Sequence, residues 1–248
     1  MKKHYYNSLG EFYADVQNVN KCELFEEYII NDSPGWMGLS LIDIHKSKFS
    51  YPLGVEKLSH FKDFQVEKDI TVKYWNQFDG YDIDVDRMMD NLDFLLDNHK
   101  RKSLPKTMDI YVNIGETNGV DYEEMLCKTY AAIKVIDRLE SLGVRCAVYA
   151  CNAFKTACHQ SKNEELGYLE ICIKQHADAL NLGALCTAIS PWIFRYWFLL
   201  YTIGRYPDLT PGISRRAPMP ADLKGMIIES GSCLTTQTAN KFIESIKL

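Results

Sequence analysis

The sequence of 248 residues predicts an α/β fold, in which a mainly parallel sheet carries helices on both of its faces. The main observation is a strand–helix–strand unit in residues 107–151, with a polar turn where its first strand ends. A second observation is the short apolar strand Met226–Ile228, which is followed by a turn and a closing helix. The composition agrees, because 46% apolar and 25% charged residues are typical of a globular protein with a substantial core.

The N-terminal part of the chain carries weaker signals. Residues 1–69 are predicted to form a helical and irregular segment, and residues 70–248 the α/β domain. Ser8 and Glu11 have the spacing of a capping box, so a first helix is predicted to begin directly after Ser8. A second helix is predicted around residues 22–30.

The α/β domain is predicted to begin with a strand and a helix. Residues 71–76 alternate between apolar and polar side chains, as a strand does. Residues 86–96 fit a helix with five apolar side chains on one face: Met88, Met89, Leu92, Leu95 and Leu96.

The central unit follows. Its first strand is Met108–Ile114, and its helix is predicted to end near Leu142, because Gly143 stands where glycine commonly follows a helix. Residues 144–150 form the second strand of the unit. Residues 167–174 alternate in the same way and are predicted to pair with that strand.

Residues 181–203 form an apolar helical region, whose most apolar part is too short to span a bilayer and contains Arg195. A buried helix is therefore predicted here. The strand Met226–Ile228 and a closing helix from Thr236 to Ile246 complete the domain, which is predicted to be Rossmannoid. Arg195 is predicted either to lie over aromatic rings at the helix surface or to be buried beside a carboxylate such as Glu229.

Charge and cysteine usage restrict the partners and the compartment. The formal net charge is −5, from 28 basic and 33 acidic residues, so no nucleic-acid partner is expected. No membrane partner is expected either, and the first residues lack the apolar region of a signal peptide. The eight cysteines are scattered through apolar segments, which is typical of reduced thiols in a cytosolic compartment.

Polar residues follow two of the predicted strands. Asn113, Glu116 and Thr117 follow the first strand of the central unit, and Glu229 follows Met226–Ile228. If these strands are parallel, their turns meet at one edge of the sheet, where α/β folds place ligands. These four residues and Arg195 are the ligand-binding candidates. An alternative interpretation is that Asn113 and Thr117 cap the following helix.

The order of the elements is similar to that of von Willebrand A-type domains. Their metal site combines an Asp-x-Ser-x-Ser strand end with a distant Thr and a distant Asp around Mg²⁺, which prefers oxygen ligands. The strand end here reads Asn113-x-Gly115-x-Thr117, so the Asp and one Ser are missing. The resemblance implies a degenerate magnesium site of Asn113, Thr117 and Glu229, with Thr187 as a further candidate.

Two other patterns are incomplete. Residues 82–86 begin like an EF-hand loop, but Arg87 stands where that loop needs glycine. Cys151, Cys158 and His159 lack a second ligand pair for zinc. The sequence also contains no P-loop, no Gly-x-Gly-x-x-Gly, no His-Glu-x-x-His and no Gly-x-Ser-x-Gly, which disfavours the enzyme classes that depend on these motifs.

The chain also resembles an uncharacterised family of phage and plasmid proteins that is classified as a domain of unknown function. The resemblance covers roughly residues 70–215. It rests on Gly80–Val85, on Val112–Ile114 with Thr117, on Ala131-Ala132 through Leu139–Arg145, and on the apolar helix with Ser190-Pro191 and Phe194-Arg195. It implies an origin in a mobile element and no established activity.

Because no catalytic set is complete, the sequence favours a non-enzymatic protein-binding module of a bacteriophage or other mobile element. It would engage a protein partner in the host cytoplasm or on an assembling particle. One alternative is a metal-dependent enzyme or small-ligand binder with its site at the strand ends. A further alternative is a virion structural subunit, which requires a large exposed apolar surface or an oligomer interface.

Overall fold

The computed structural model describes residues 1–18, 34–46, 55, 58–59, 61, 73–76, 82–83, 85–89, 95–98, 106–117, 119–156, 165–205 and 215–246. The strands in chain order are β1 (Lys2–Tyr6), β2 (Lys73–Asn76), β3 (Asp82–Ile83), β4 (Leu95–Asn98), β5 (Thr107–Asn113), β6 (Arg145–Thr156), β7 (Glu165–Lys174), β8 (Arg215–Arg216) and β9 (Met226–Ile228). The α-helices are α1 (Leu9–Gln17), α2 (Pro34–Met37), α3 (Leu41–Lys46), α4 (Val85–Met89), α5 (Tyr122–Ser141), α6 (Leu182–Ala188), α7 (Leu199–Arg205) and α8 (Thr236–Ser245), and Ile193–Phe198 is a π-helix.

The main sheet has the strand order β1–β7–β6–β5–β9, and β8 pairs with the end of β6. The strand β5 is parallel to both of its neighbours, β6 and β9. The strand β7 runs antiparallel to β6, as the alternation in residues 167–174 predicted, and β1 is parallel to β7. The predicted α/β class with a mostly parallel sheet is thus confirmed.

The two faces of this sheet differ in what covers them. Alternate residues of the central strands, such as Ile110 and Val148, join one large core with the buried side chains of the helices that pack on the sheet. On the opposite face, Tyr111 and Tyr168 pack against Ala217, Met219 and other side chains of the segment 217–223. Because residues alternate between faces along a strand, the described helices pack on one face and a loop covers the other. The prediction of helices on both faces is therefore wrong for the described part of the chain.

Several predicted elements are confirmed at their expected places. The helix α1 begins after Ser8, whose side chain accepts a hydrogen bond from the backbone of Glu11. The helix α5 ends at Ser141 with Leu142 as its C-cap, and Gly143 follows with a φ of +83°. Trp192 and other side chains of the apolar helical region are buried, which confirms the predicted buried helix.

Other predictions need correction. Residues 2–6, assigned to a helical and irregular segment, form the edge strand β1 of the main sheet. The single helix predicted over 86–96 is instead the short helix Val85–Met89 and the strand Leu95–Asn98, which pairs antiparallel with β2 and β3 in a separate sheet. The helix predicted around 22–30 and the boundary after residue 69 lie outside the described residues.

Candidate functional site

The ends of two parallel strands, β5 and β9, were predicted to meet at one edge of the main sheet, and they do. Because β5 and β9 are parallel and paired from Ile110↔Met226 to Val112↔Ile228, their following turns lie side by side. The first turn leads into α5 and the second into α8, and these two helices contact each other. The prediction that Glu116 of the first turn lies close to the residues that follow Met226–Ile228 is correct.

The carboxylate at the centre of this edge is that of Glu116. Its side chain is fully buried, and Lys128 of α5 donates to its Oε1 atom. The backbone N–H of Gly231 donates to the same oxygen at 2.8 Å, and the Ser230 hydroxyl lies 3.3 Å from Oε2. The carboxylate therefore joins β5, α5 and the turn after β9.

Lys128 is the counterion in this cluster. Its ammonium group is buried, with only 3% of the side chain exposed, and it also donates to the backbone carbonyl of Asn113 at 2.9 Å. A buried charge is tolerated when it is paired and hydrogen-bonded, and both partners of this pair meet that condition. We call Glu116, Lys128, Asn113, Ser230 and Gly231 the strand-end cluster.

Asn113 shapes the turn. Its side-chain oxygen accepts a hydrogen bond from the backbone N–H of Gly115 at 3.1 Å, an arrangement typical of an Asx turn. A Cβ atom on Gly115 would lie 2.2 Å from Oδ1 of Asn152, which is itself buried. Glycine is therefore required at position 115 because a neighbouring strand approaches the turn closely.

The expected capping role of Asn113 and Thr117 is wrong. The helix α5 is capped by Asp121, whose side chain accepts from the backbone N–H of Glu124, and Glu124 returns a bond to the backbone of Asp121. Asn113 serves the turn before the helix, and the backbone carbonyl of Thr117 accepts from Val120.

The predicted magnesium ligands are not equally placed. Asn113 is buried, whereas Thr117 and Glu229 are exposed. The central carboxylate, Glu116, already faces the ammonium group of Lys128, which would repel a divalent cation at the same place. Among the described residues, no three His, Cys, Asp or Glu side chains are grouped as metal ligands. The geometry at this edge thus favours an internal ion pair, and the magnesium site stays a prediction.

Arg195 is buried, and its guanidinium group clamps two segments of backbone. It donates to the carbonyl oxygens of Trp36 and Val120, and it lies 4.7 Å from the ring centroid of Trp36. The expected packing on an aromatic ring is therefore present, at a buried position instead of at the helix surface. Val120 precedes the cap of α5, so Arg195 holds the far end of the turn that carries Glu116.

The incomplete motifs do not form sites in the described part of the chain. Residues 82–83 and 85–89 of the EF-hand-like stretch are a strand and a helix. Cys151 is fully buried, and burial raises the pKa of its thiol well above the usual value, so it is protonated near neutral pH. Cys158 and His159 lie outside the described residues.

A cavity of about 290 Å³ lies at the end of β7, and its lining is Ile173, Lys174, Asp178, Ala179, Asn181, Ala184 and Leu185. The buried charge in its wall is already paired, because the Lys174 ammonium lies 2.7 Å from Oε1 of Glu140 and donates to the Cys146 carbonyl at 3.0 Å. This cavity therefore offers no unpaired buried charge to a ligand.

Lys128 was not among the residues predicted from the sequence. One signal could have found it: the position lies three residues after Met125 and four before Ala132, on the apolar stripe of α5. A lysine on a buried stripe requires a carboxylate partner, and Glu116 stands in the turn before that helix.

Comparison with known proteins gives one match. The family model described as a domain of unknown function, DUF7192, matches residues 1–247. No curated protein and no solved structure matches the chain. In the described residues, no helix combines the length and the apolar character needed to cross a membrane.

Proposed function

The chain belongs to the DUF7192 family, whose description gives no activity, and from its geometry we propose that it is a non-enzymatic protein-binding module. The proposal includes an origin in a bacteriophage or other mobile element, and action in the host cytoplasm or on an assembling particle. That part of the proposal is supported only by the resemblance of residues 70–215 described above.

The observation that carries the proposal is an exposed apolar patch at β3 and α4. Four large apolar side chains lie within seven consecutive residues, and each is more than half exposed: Ile83 (59%), Val85 (60%), Met88 (53%) and Met89 (77%). We call these four residues the apolar patch. The other exposed large apolar residues of the described chain are scattered: Met1, Tyr5, Ile42 and Leu142.

The arrangement of the patch suits binding. Val85, Met88 and Met89 are spaced i, i+3 and i+4, so they share one side of the helix Val85–Met89. Single exposed apolar side chains need no explanation, whereas groups of them commonly mark interaction surfaces. Methionine is suited to such surfaces, because its flexible, polarizable side chain adapts to the shape of a partner.

The alternative function, that of a metal-dependent enzyme or small-ligand binder with its site at the strand ends, has weaker support. The strand ends do converge, but their buried carboxylate is neutralised by Lys128 and receives further hydrogen bonds from the neighbouring turn. A buried carboxylate and a lysine that bind each other are better explained as a structural junction between secondary-structure elements than as a catalytic or ligand-binding site.

Affinity capture with matched variants tests the proposed function. The tagged chain and its Met88→Ser/Met89→Ser variant are used to capture proteins from the cells in which the chain is made. Ile42→Ser, which changes an exposed apolar residue on α3, is the control. We expect at least one protein whose recovery falls about tenfold or more in the patch variant and is unchanged in the control.

Two results would contradict the proposal. One is that no protein is recovered with the wild-type chain above the level of an untagged control. The other is that every captured protein is recovered equally with the patch variant, although melting curves show that this variant is folded.

A further inference from the structure

The loop-covered face of the main sheet carries a partly exposed carboxylate, that of Glu170 on β7. Glu170 is paired in register with Tyr5 of the edge strand β1. Tyr149 of β6 is its diagonal neighbour, because Glu170 pairs with Cys151, two residues further along β6. Side chains as long as Tyr and Glu reach each other from opposite and diagonal positions on one face. Two tyrosines therefore flank the carboxylate.

Ring and hydrogen-bond contacts place these side chains on the same face. The Tyr168 hydroxyl donates to Oε2 of Glu170 at 2.7 Å. The ring of Tyr5 meets that of Tyr168 edge-on, with 6.2 Å between the centroids, and the Tyr149 ring is stacked on that of Tyr111 at 4.9 Å. Tyr5 is 55% exposed, and Glu170 and Tyr149 are partly exposed, so a ligand can reach the carboxylate and both flanking tyrosines from solvent.

The carboxylate of Glu170 forms no ion pair within the part of the chain that the structure describes, where its Oε1 atom also accepts no hydrogen bond. Two basic side chains near this face are engaged elsewhere. Lys3 of β1 donates to both carboxylate oxygens of Asp222, at 2.6 and 2.9 Å. His176 lies 3.0 Å from Oδ1 of Asp109. Lys3 and His176 therefore have acidic partners of their own.

An uncompensated carboxylate at a partly buried position is unfavourable for the fold. Burial raises the pKa of Glu170, and the charges of Asp109 and Asp222 act in the same direction. The Tyr168 hydroxyl and Lys3 oppose this rise only in part. A group that the folded state holds against its charge is often retained for function instead of stability. A positively charged ligand would relieve the imbalance at this carboxylate.

The surroundings of Glu170 restrict the chemistry of such a ligand. The face of a tyrosine ring attracts a cation within about 6 Å of its centroid, so the two flanking rings add to the attraction of the carboxylate. The Oε1 atom can accept a hydrogen bond, which a primary ammonium group donates and a quaternary one cannot. Divalent metal ions prefer several oxygen ligands, and the described residues provide no group of three acidic or metal-binding side chains here.

We propose that Glu170, Tyr5 and Tyr149 form a binding site for a primary alkylammonium group. The ammonium group donates to Oε1 of Glu170 and lies against the tyrosine rings. The same chemistry is offered by a free amine and by a lysine side chain, and the experiment below distinguishes these two sources. The site uses no residue of the apolar patch, so this inference does not depend on the proposed function.

Ligand-observed NMR with the full chain tests the inference. The probes are n-butylammonium, which is charged at neutral pH, and n-butanol, which has a similar shape and no charge. At low salt we expect saturable binding of n-butylammonium in the millimolar range and no saturable binding of n-butanol. A third probe, Nα-acetyl-lysine N-methylamide, distinguishes the sources. Tighter binding than that of n-butylammonium would indicate a lysine side chain, and equal or weaker binding a free amine.

Variants connect the binding to this site. Glu170→Gln keeps an acceptor for the Tyr168 hydroxyl, removes the charge, and is expected to abolish saturable binding of n-butylammonium. Because removal of this uncompensated charge should stabilise the fold at neutral pH, unfolding would not explain the loss. Tyr5→Ser is expected to weaken binding several-fold, and Tyr5→Phe, which keeps the ring, to weaken it less. The charge control is Glu244→Gln at an exposed position, with an unchanged affinity expected.

Three results would overturn the inference. The first is that neither n-butylammonium nor the lysine derivative binds saturably to the folded wild-type chain. The second is equal binding of n-butylammonium and n-butanol, which would remove the role of the charge. The third is that Glu170→Gln binds n-butylammonium as tightly as the wild type, or loses no more affinity than Glu244→Gln. None of these results affects the capture experiment with Met88 and Met89, so the two proposals stand or fail separately.

Discussion

At the scale of single residues, the pair of Glu116 and Lys128 accounts for the chemistry at the strand ends. Both side chains are buried, and their remaining hydrogen-bonding capacity is used by Gly231, Ser230 and the carbonyl of Asn113. A buried ion pair adds little compared with apolar residues of the same shape, but removal of one partner leaves an isolated charge. The pair therefore makes the junction sensitive to substitution.

Lys128→Met is predicted to lower the free energy of unfolding by about 3–5 kcal/mol, because Glu116 would stay buried without its counterion. The measurement is urea-induced unfolding followed by circular dichroism. The double variant Lys128→Met/Glu116→Gln should recover part of the loss. The control, Lys3→Met, breaks the exposed pair with Asp222 and should cost far less, because solvent screens that pair. Equal small effects of Lys128→Met and Lys3→Met would contradict the assignment.

Glu170 gives a pH-dependent prediction. Burial raises the pKa of its carboxyl, repulsion from Asp109 acts in the same direction, and the hydrogen bond from Tyr168 only partly opposes them. Because the pKa is higher in the folded state, the group favours folding below its usual pKa of 4.5 and loses that contribution as the pH rises through the folded value.

Glu170→Gln, which keeps an acceptor for the Tyr168 hydroxyl, is therefore predicted to raise the melting temperature at pH 7. The gain should shrink as the pH falls through the raised pKa of the folded state and be largely gone below 4.5, where the wild-type carboxyl is protonated in both states. Melting curves across this pH range check the prediction, with the exposed Glu244→Gln as the control. A gain that increases toward low pH would contradict the stated direction of the shift.

Residue patterns in the sequence predicted part of the strand-end cluster. Asn113, Glu116 and the turn after Met226–Ile228 were correctly brought to one edge, since local polarity after apolar strands marks strand ends. The pairing of Glu116 with Lys128 depends on how α5 rotates against the sheet, which the spacing of apolar residues fixes only approximately.

At the scale of elements, the helix Tyr122–Ser141 is held near each end by an ion pair that contains a buried lysine. Lys128 lies near its N-terminus and Glu140 near its C-terminus, where Glu140 pairs with Lys174. Both charges have the unfavourable sign for the helix dipole, so their positions are explained by the pairing and not by the helix itself. The helix is thereby fixed to the sheet at both ends.

The π-helix Ile193–Phe198 explains the inward position of Arg195. A π-helix widens the turn, and such segments often occur where a side chain has a special role. Here the guanidinium group of Arg195 reaches the carbonyls of Trp36 and Val120. Periodicity predicted a helix over this region, but an α-helical period cannot indicate where a wider turn begins.

Arg195→Lys is predicted to lower the free energy of unfolding by about 1.5–3 kcal/mol, because one ammonium group replaces a fork that serves two carbonyls. The matched control is Arg205→Lys, at an exposed pair with Asp15, with an expected loss below about 1 kcal/mol. Urea unfolding of both variants is the measurement. A loss at Arg195 no larger than at Arg205 would contradict the clamp.

The wrong prediction over 86–96 has a physical reason. The aspartates and the apolar residues of this stretch fit a helix, and its last leucines fit a strand equally well, since short apolar runs are ambiguous. Pairing of Leu95–Asn98 with Lys73–Asn76 decided the outcome, and that partner is distant in the sequence.

At the scale of the whole molecule, local patterns predicted the class of the fold, while distant pairings set the remaining layout. The strand–helix–strand unit and the pairing of β6 with β7 follow from neighbouring segments. The addition of Lys2–Tyr6 to β7 joins strands from opposite parts of the chain. The covering of one face by residues 217–223 depends on a loop without a periodic pattern.

This layout separates two regions with different roles. The strand-end cluster lies in the main sheet and is closed by its own ion pair. The apolar patch lies on β3 and α4. We infer that the strand ends hold the fold together and that protein binding takes place at the apolar patch.

A melting scan of metal-stripped protein, titrated separately with Mg²⁺, Mn²⁺, Ca²⁺ and Zn²⁺, tests this claim most directly. Asn113→Ala and Glu229→Ala are measured beside the wild type. We predict no saturable change in the wild-type melting temperature with any of the four ions, because Lys128 already neutralises the buried carboxylate. A saturable rise that is lost in both variants would contradict it and establish a metal site at the strand ends.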